Sequence, residues 1–237
     1  TGGNAEGPYE DLEAFLHDAG TLAESLLDQG ITGMKIWPFD FAAKESGGYY
    51  ISNKDLKKAL EPFAKIRKAV GDKMDIMVEL HSLWRFPAAI KIAEALEEFD
   101  PFWYEDPIRM DSIEAVAEFA AATNVPVCAS ETLGARYEHK QILEAGAAGI
   151  IMPDITWCGG ITEAKKIAVL ADTYHRPIAP HDCSGPLALM ACIHVSLNAP
   201  NTLIQETVRA FYSGWYKELV TVLPDIREGY VYPPEGP

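Results

Sequence analysis

Three glutamates recur at one interval in this chain: Glu79 in DIMVELH, Glu105 in FWYEDP and Glu131 in VPVCASET, each 26 residues after the last. Each falls at the end of a short apolar run, and the interval is close to one strand–helix–strand period. Equal positions at the ends of successive parallel strands bring side chains to one mouth of a sheet or barrel. Three ionised carboxylates meeting there repel one another, and a cation is the natural way to hold them. An all-oxygen set suits a hard ion such as Mg²⁺ better than zinc, which prefers nitrogen and sulfur. The plainer alternative is three unrelated strand-end acids, some of them helix caps, and the regular repeat argues against it. Asp154 in MPD, His181 in APHD and Glu206 in IQE continue the strand-end series. A carboxylate accepting from one imidazole nitrogen fixes the tautomer and raises the basicity of the other, so Asp154 would make His181 a general base. A lone histidine is more often a core residue bonded to a backbone carbonyl. The Asp154 partner and the strand-end position favour the base.

The elements that must position these residues alternate. Helical periodicity covers about 12–29, with apolar residues at Leu12, Phe15, Leu16, Leu22, Leu26 and Leu27. A strand over 31–37 follows, then a loop with Gly47, Gly48, Tyr49 and Tyr50 that reads as mobile. The next helix spans about 54–70, with Asn53 as its N-cap and Gly71 as its stop. The runs MDIMVEL, PFWYE, VPVCASE, GIIMPD, PIAPH and TLIQE read as further strands. Helices over about 88–98, from a cap at Asp111 or Ser112 to 124, and over 138–145, 162–174 and 186–197 separate them. The tail 229–237 reads as irregular. Seven strands with helical crossovers, several apolar on both faces, predict an α/β fold of the (β/α)8 barrel type. An open doubly wound sheet is the other architecture; it binds ligand at one crevice and needs no functional groups on seven successive strands. Here Lys35, Glu79, His81, Glu105, Glu131, Asp154, His181 and Glu206 all sit at strand ends. The barrel's first strand has no counterpart, and TGGNAEGPYE opens as a loop. Residues 1–237 therefore read as a single catalytic barrel domain that begins mid-fold.

Bulk properties narrow the partners. The 237 residues fit one large α/β domain, and 48% hydrophobic with 23% charged is an ordinary globular composition. A net charge of −15 argues against nucleic acid or an anionic membrane as the main partner. A small anionic substrate stays possible, because a bound divalent ion reverses the local field. Cys128, Cys158, Cys183 and Cys192 form no CxxC pair and read as reduced thiols of a cytoplasmic protein. No apolar run is long enough to span a membrane, and no signal peptide opens the chain.

The segments WYEDP, ASETLGARYE, IIMPDITWCGGITEAKKIA, IAPHDCSGP and IQE resemble, in order and spacing, the mandelate racemase branch of the enolase superfamily. The likeness is closest to its acid-sugar dehydratases of the galactonate dehydratase type and covers nearly the whole chain. It implies Glu79, Glu105 and Glu131 as Mg²⁺ ligands and Asp154 with His181 as the base dyad. It also implies Glu206 as the acid that hydrogen-bonds a developing enediolate, and Lys35 as the counterpart of the second base of the racemases. His81 matches a histidine that protonates the leaving hydroxyl. Two residues past Glu79 on one strand, it would share a face with it. The sequence departs from the family in having Glu79 where Asp is usual and Gly33 where the racemases carry another lysine. The family's N-terminal capping domain has no counterpart here.

The implied activity is a Mg²⁺-dependent lyase that removes water from an acid sugar through an enediolate. The alternative is a racemase, epimerase or cycloisomerase using Lys35 and His181, and a third class is a barrel that binds without turnover. A small sugar acid is the expected partner, and the likeness implies a homo-oligomer. Arg136 could clamp a substrate carboxylate or be a solvated helix-start arginine. Trp84 and Trp157 could wall the site or pack the core. Cys183 has no separate base to make it a nucleophile.

Overall fold

The computed structural model describes residues 9–234 and 236; the loop read over 1–8 and positions 235 and 237 of the tail lie outside the described residues. The chain divides into two compact units, one of Phe15–Ala129 with Gln141–Gly149, the other of Ser130–Lys140 and Ile150 onward with the residues up to Ala14.

Helical segments α1 (Asp11–His17) and α2 (Ala19–Leu27) replace the one helix predicted over 12–29, with Asp18 in a non-helical conformation between them. Strand β1 (Gly33–Ile36) is followed by α3 (Asp40–Ser46), a helix where the sequence reads as loop. Gly47 ends α3 in the left-handed region, and Gly48 follows at φ 76°. A Cβ on Gly48 would lie 1.9 Å from the Leu83 carbonyl oxygen, and the Gly48 oxygen accepts from Arg85 N at 2.9 Å. The glycines thus permit a close backbone contact that pins a segment expected to be mobile.

Helix α4 (Asn53–Val70) is capped by Ser52, not Asn53: the Ser52 hydroxyl accepts from Asp55 N at 3.0 Å. Gly71 closes it as expected. Then come β2 (Asp75–Glu79), α5 (Phe86–Leu96), β3 (Trp103–Glu105), α6 (Ile113–Ala122) and β4 (Val127–Ala129). Ser112 proves to be the cap of α6, accepting from Ala115 N at 3.4 Å. β1 to β4 run parallel in chain order, with Lys35 opposite Met77, Glu79 opposite Glu105, and Glu105 opposite Cys128. Every residue of β3 and β4, and all but the first of β2, is buried, as crossover helices covering both faces require. Phe39, Phe63, Phe99, Tyr104 and Phe119 fill the space between strands and helices.

In the other unit, α7 (Arg136–Glu144) begins before β5 (Ile150–Ile151), the fifth parallel strand. Helices α8 (Ile161–Thr173) and α9 (Pro186–Asn198) follow. The predicted strands in PIAPH and TLIQE shrink to single bridges, Ile151 with Ile178, Asp154 with His181, and Ile178 with Thr202, all parallel. Pro177 and Pro180 lack the N–H a ladder needs, so the N–H groups that pair are those of Ile178, Ala179 and His181, while the Pro177 and Ile178 carbonyls accept from Ile151 N and Leu203 N. Short helices α10 (Arg209–Tyr212) and α11 (Tyr216–Leu219) pack Phe211 and Tyr216 against Leu189 and Ile193 of α9. The tail is not wholly irregular: β6 (Asp225–Arg227) and β7 (Tyr230–Tyr232) form an antiparallel hairpin. The parallel α/β class is the one the sequence predicts.

Candidate active site

In the unit of β1–β4, the ends of neighbouring strands bring two acids side by side. Glu79 and Glu105 close β2 and β3 in register and are 1% and 0% exposed. Lys35 stands one strand over. Because it pairs with Met77, two residues before Glu79, its side chain projects on the same face as Glu79. Its ammonium donates to Glu105 Oε1 at 2.5 Å and lies 3.5 Å from Glu79 Oε2. Trp103, two residues before Glu105 and on its face of β3, donates from Nε1 to Glu105 Oε2 at 3.1 Å. That partner was legible from strand parity alone. The pair is an all-oxygen donor set, buried and held side by side, which is the kind of set a hard divalent cation takes. Glu131 follows the end of β4 by two residues, the sequence position expected of a third ligand.

The parity argument for His81 does not hold. β2 ends at Glu79, and His81 and Ser82 both take positive φ, 51° and 55°, so the chain turns before the imidazole is placed. What ties His81 to Glu79 is its backbone N–H, which donates to Glu79 Oε1 at 2.5 Å. Its ring stands edge-on to Trp37 at 5.9 Å, and Nδ1 lies 3.0 Å from Asp40 Oδ2. Asp40 opens α3, 41 positions earlier, and no local signal in the sequence announces the pairing. Two consecutive left-handed non-glycine residues carry backbone strain, of order 1–3 kcal/mol each, and such strain concentrates at functional sites.

The other unit holds the dyad. Asp154 and His181 face each other across a parallel bridge, with His181 Nδ1 2.7 Å from Asp154 Oδ2. Asp154, 1% exposed, is fully bonded. Oδ1 accepts from Thr156 N (2.7 Å), Thr156 Oγ1 (2.5 Å) and Trp157 N (3.1 Å), and Oδ2 also accepts from Ser184 Oγ (3.0 Å). Burial alone would push this carboxyl up, but the hydrogen bonds from His181, Thr156 and Ser184 hold it down at about 2. Thr156, two residues after Asp154, is the kind of local turn partner a sequence reader can look for; Ser184 is not.

His181 Nε2 is not open. It lies 2.8 Å from Glu131 Oε2 and 3.9 Å from Glu206 Oε2. Burial disfavours the charged imidazole, yet Asp154, Cys183 and Glu131 as partners, with the charge of Glu206, push its pKa well above the ordinary range. Trp157, half exposed, stacks at a tilt 5.6 Å from this ring, which places it at the site. Glu206 is fixed by the Asp182 backbone, whose N–H donates to Oε2 at 2.8 Å. Asp182, next to His181, has no spacing signal in the sequence that marks it. It is 0% exposed, neither carboxyl oxygen has a hydrogen-bond partner, and burial with the nearby Glu206 charge raises its pKa to about 8.

The Arg136 guanidinium is engaged by protein groups. Nη1 pairs with both Glu163 oxygens at 2.7 Å, Nη2 donates to Tyr137 Oη at 2.8 Å, and the side chain lines a cleft with Lys140, Lys165 and Lys166. The carboxylate it clamps in this structure is Glu163. Trp84 is wholly buried core, and Cys128, Cys158 and Cys192 are buried free thiols.

Strand-end acids, an Asp–His dyad and parallel crossovers define an α/β enzyme-type domain, and comparison with known proteins gives its family. Residues 18–237 match the model of the enolase C-terminal domain-like family, and the chain belongs to that family. Among solved structures, it is similar to an enolase of the mandelate racemase subgroup from Agrobacterium tumefaciens. That match has 57% identity, a TM-score of 0.88, and 90% of this chain against 58% of that one. A Sargasso Sea enolase protein matches at 49% identity and a TM-score of 0.87 over 93% of this chain and 59% of its own. The D-galactonate dehydratase of Ralstonia nicotianae (strain ATCC BAA-1114 / GMI1000) is 33% identical over 198 residues, 81% of this chain and 52% of that protein. The chain spans about half the length of the curated relatives it matches. No helix among the described residues is long and apolar enough to cross a membrane.

Proposed function

We propose that this chain carries the catalytic barrel of a Mg²⁺-dependent lyase that dehydrates an acid sugar. The observation that carries the reading is the Asp154–His181 bond in a chain of this family whose Glu79 and Glu105 are buried side by side. Glu79 and Glu105, joined by Glu131, would hold the ion. Bound there, it supplies Lewis-acid charge for the negative charge that develops on a substrate carboxylate. His181 takes the proton α to that carboxylate at Nε2, while Asp154 holds the proton on Nδ1. The reading therefore requires Glu131 to release Nε2, which service as a metal ligand would do. Glu206, held by Asp182 N–H, faces the developing charge as a hydrogen-bonding group. His81 gives a proton to the departing β-hydroxyl, which leaves as water, and the enol that remains tautomerises to a 2-keto-3-deoxy acid.

Lys35 donates to Glu105 and is ion-paired with Glu79, an arrangement that suits a positioning cation better than the second base of a racemase. The substrate is a small anionic sugar acid, and the chain's relatives named as D-galactonate dehydratases support that class. A homo-oligomer and a cytoplasmic setting belong to the same reading. The test is a screen of sugar acids with Mg²⁺ in D₂O. Formation of a 2-keto-3-deoxy acid that His181→Asn abolishes is the expected result. Inverted, deuterated but otherwise intact substrate would replace this reading with the isomerase, and an unchanged result in His181→Asn would remove the dyad from the chemistry.

A further inference from the structure

We infer that Lys35 is a tethered cation that competes with the divalent ion for Glu79 and Glu105. The inference rests on the metal reading given above. Two carboxylates 1% and 0% exposed, ending adjacent strands in register, need positive charge close by. Lys35 supplies it from the neighbouring strand, 2.5 Å from Glu105 and 3.5 Å from Glu79. The ammonium is thus centred on Glu105 and reaches Glu79, the two residues proposed as ligands.

A divalent ion seeking those oxygens meets a positive charge already bonded to them. Two cations on the same oxygens repel, so occupancy by one weakens the other, and linkage makes the effect reciprocal. The lysine stem is flexible, and its ammonium is a compact point charge with three rotatable donors, so it can swing away without moving β1. Its root on the same face as Glu79 keeps it at the mouth of the strands when displaced. Trp103 Nε1 on Glu105 Oε2 holds that carboxylate in place while the cation changes.

The test measures Mg²⁺ binding by calorimetry, and melting in EDTA, for the wild-type chain, Lys35→Met and Lys35→Arg. Lys35→Met should bind Mg²⁺ about tenfold tighter, within the usual range of coupling between sites. It should also melt lower than wild type in EDTA. Lys35→Arg keeps the charge and adds a fork that grips two carboxylates, so it should bind Mg²⁺ more weakly than wild type. The arginine variant carries the test if the methionine variant does not fold. Equal or weaker Mg²⁺ binding by Lys35→Met, or unchanged binding by Lys35→Arg, overturns the competition and leaves the metal reading intact. No Mg²⁺ binding by any of the three removes the metal reading, and this inference with it.

Discussion

Replacing Asp154 by Asn tests the dyad in a way the structure makes unusually specific. Oδ1 accepts three donors, from Thr156 N, Thr156 Oγ1 and Trp157 N. An asparagine must keep its carbonyl oxygen there, and its NH₂ group then faces His181 Nδ1 and Ser184 Oγ. Once Glu131 has released Nε2, as the proposed metal reading requires, two donors cannot face each other, so the neutral ring gives up its Nδ1 proton and becomes the Nε2–H tautomer. The nitrogen meant to accept the substrate proton is then occupied, and turnover should fall by about 10⁴, the loss known for such a swap in a serine-protease triad. Stability should fall too. The carboxyl is held at about 2 against about 4 in an unfolded chain, and that difference corresponds to roughly 2–3 kcal/mol near neutral pH. A depressed carboxylate pKa contributes stability that is present above the unfolded value and lost as pH falls toward the folded one. The gap between wild type and Asp154→Asn should therefore be full at neutral pH and shrink between about pH 4 and pH 2. Ring-nitrogen NMR with labelled histidine reads the tautomer, and urea unfolding across pH reads the gap. A variant that keeps its proton on Nδ1, or a gap that is flat with pH, refutes the argument.

Asp182→Asn should behave in the opposite sense. Its folded pKa of about 8 lies above the unfolded value of about 4, so the stability it contributes is full below pH 4 and lost as pH rises toward 8. The variant should match wild type near pH 4 and exceed it by on the order of 2 kcal/mol or more near pH 8 in urea unfolding. Ser52→Ala removes the hydroxyl that accepts from Asp55 N and should cost about 1 kcal/mol, read as a lower urea midpoint at unchanged slope.

The sequence by itself determined the class of the fold and which strand ends carry the candidate site residues. Apolar runs at a regular interval can only be buried parallel strands under crossover helices, and a residue at a strand's carboxyl end has its place set by that geometry. So Glu79 and Glu105 came out in register, Asp154 met His181 across a bridge, and Trp103 could have been added by parity. Element edges were legible where a cap or a glycine marked them, as at Ser112 and Gly71. Tertiary structure decided what local pattern does not encode. Prolines 177 and 180 cut the predicted strand PIAPH to bridges, because pairing depends on N–H groups that neighbouring strands ask for. Gly48 is pinned by the backbone N–H of Arg85, 37 positions later in the chain, and Asp40 reaches His81 from a helix the sequence hid. Arg136 is filled by Glu163, and His181 Nε2 by Glu131. Spacing tells where a charge will be, but which partner neutralises it is chosen by distances of a few ångströms that only the packed chain defines.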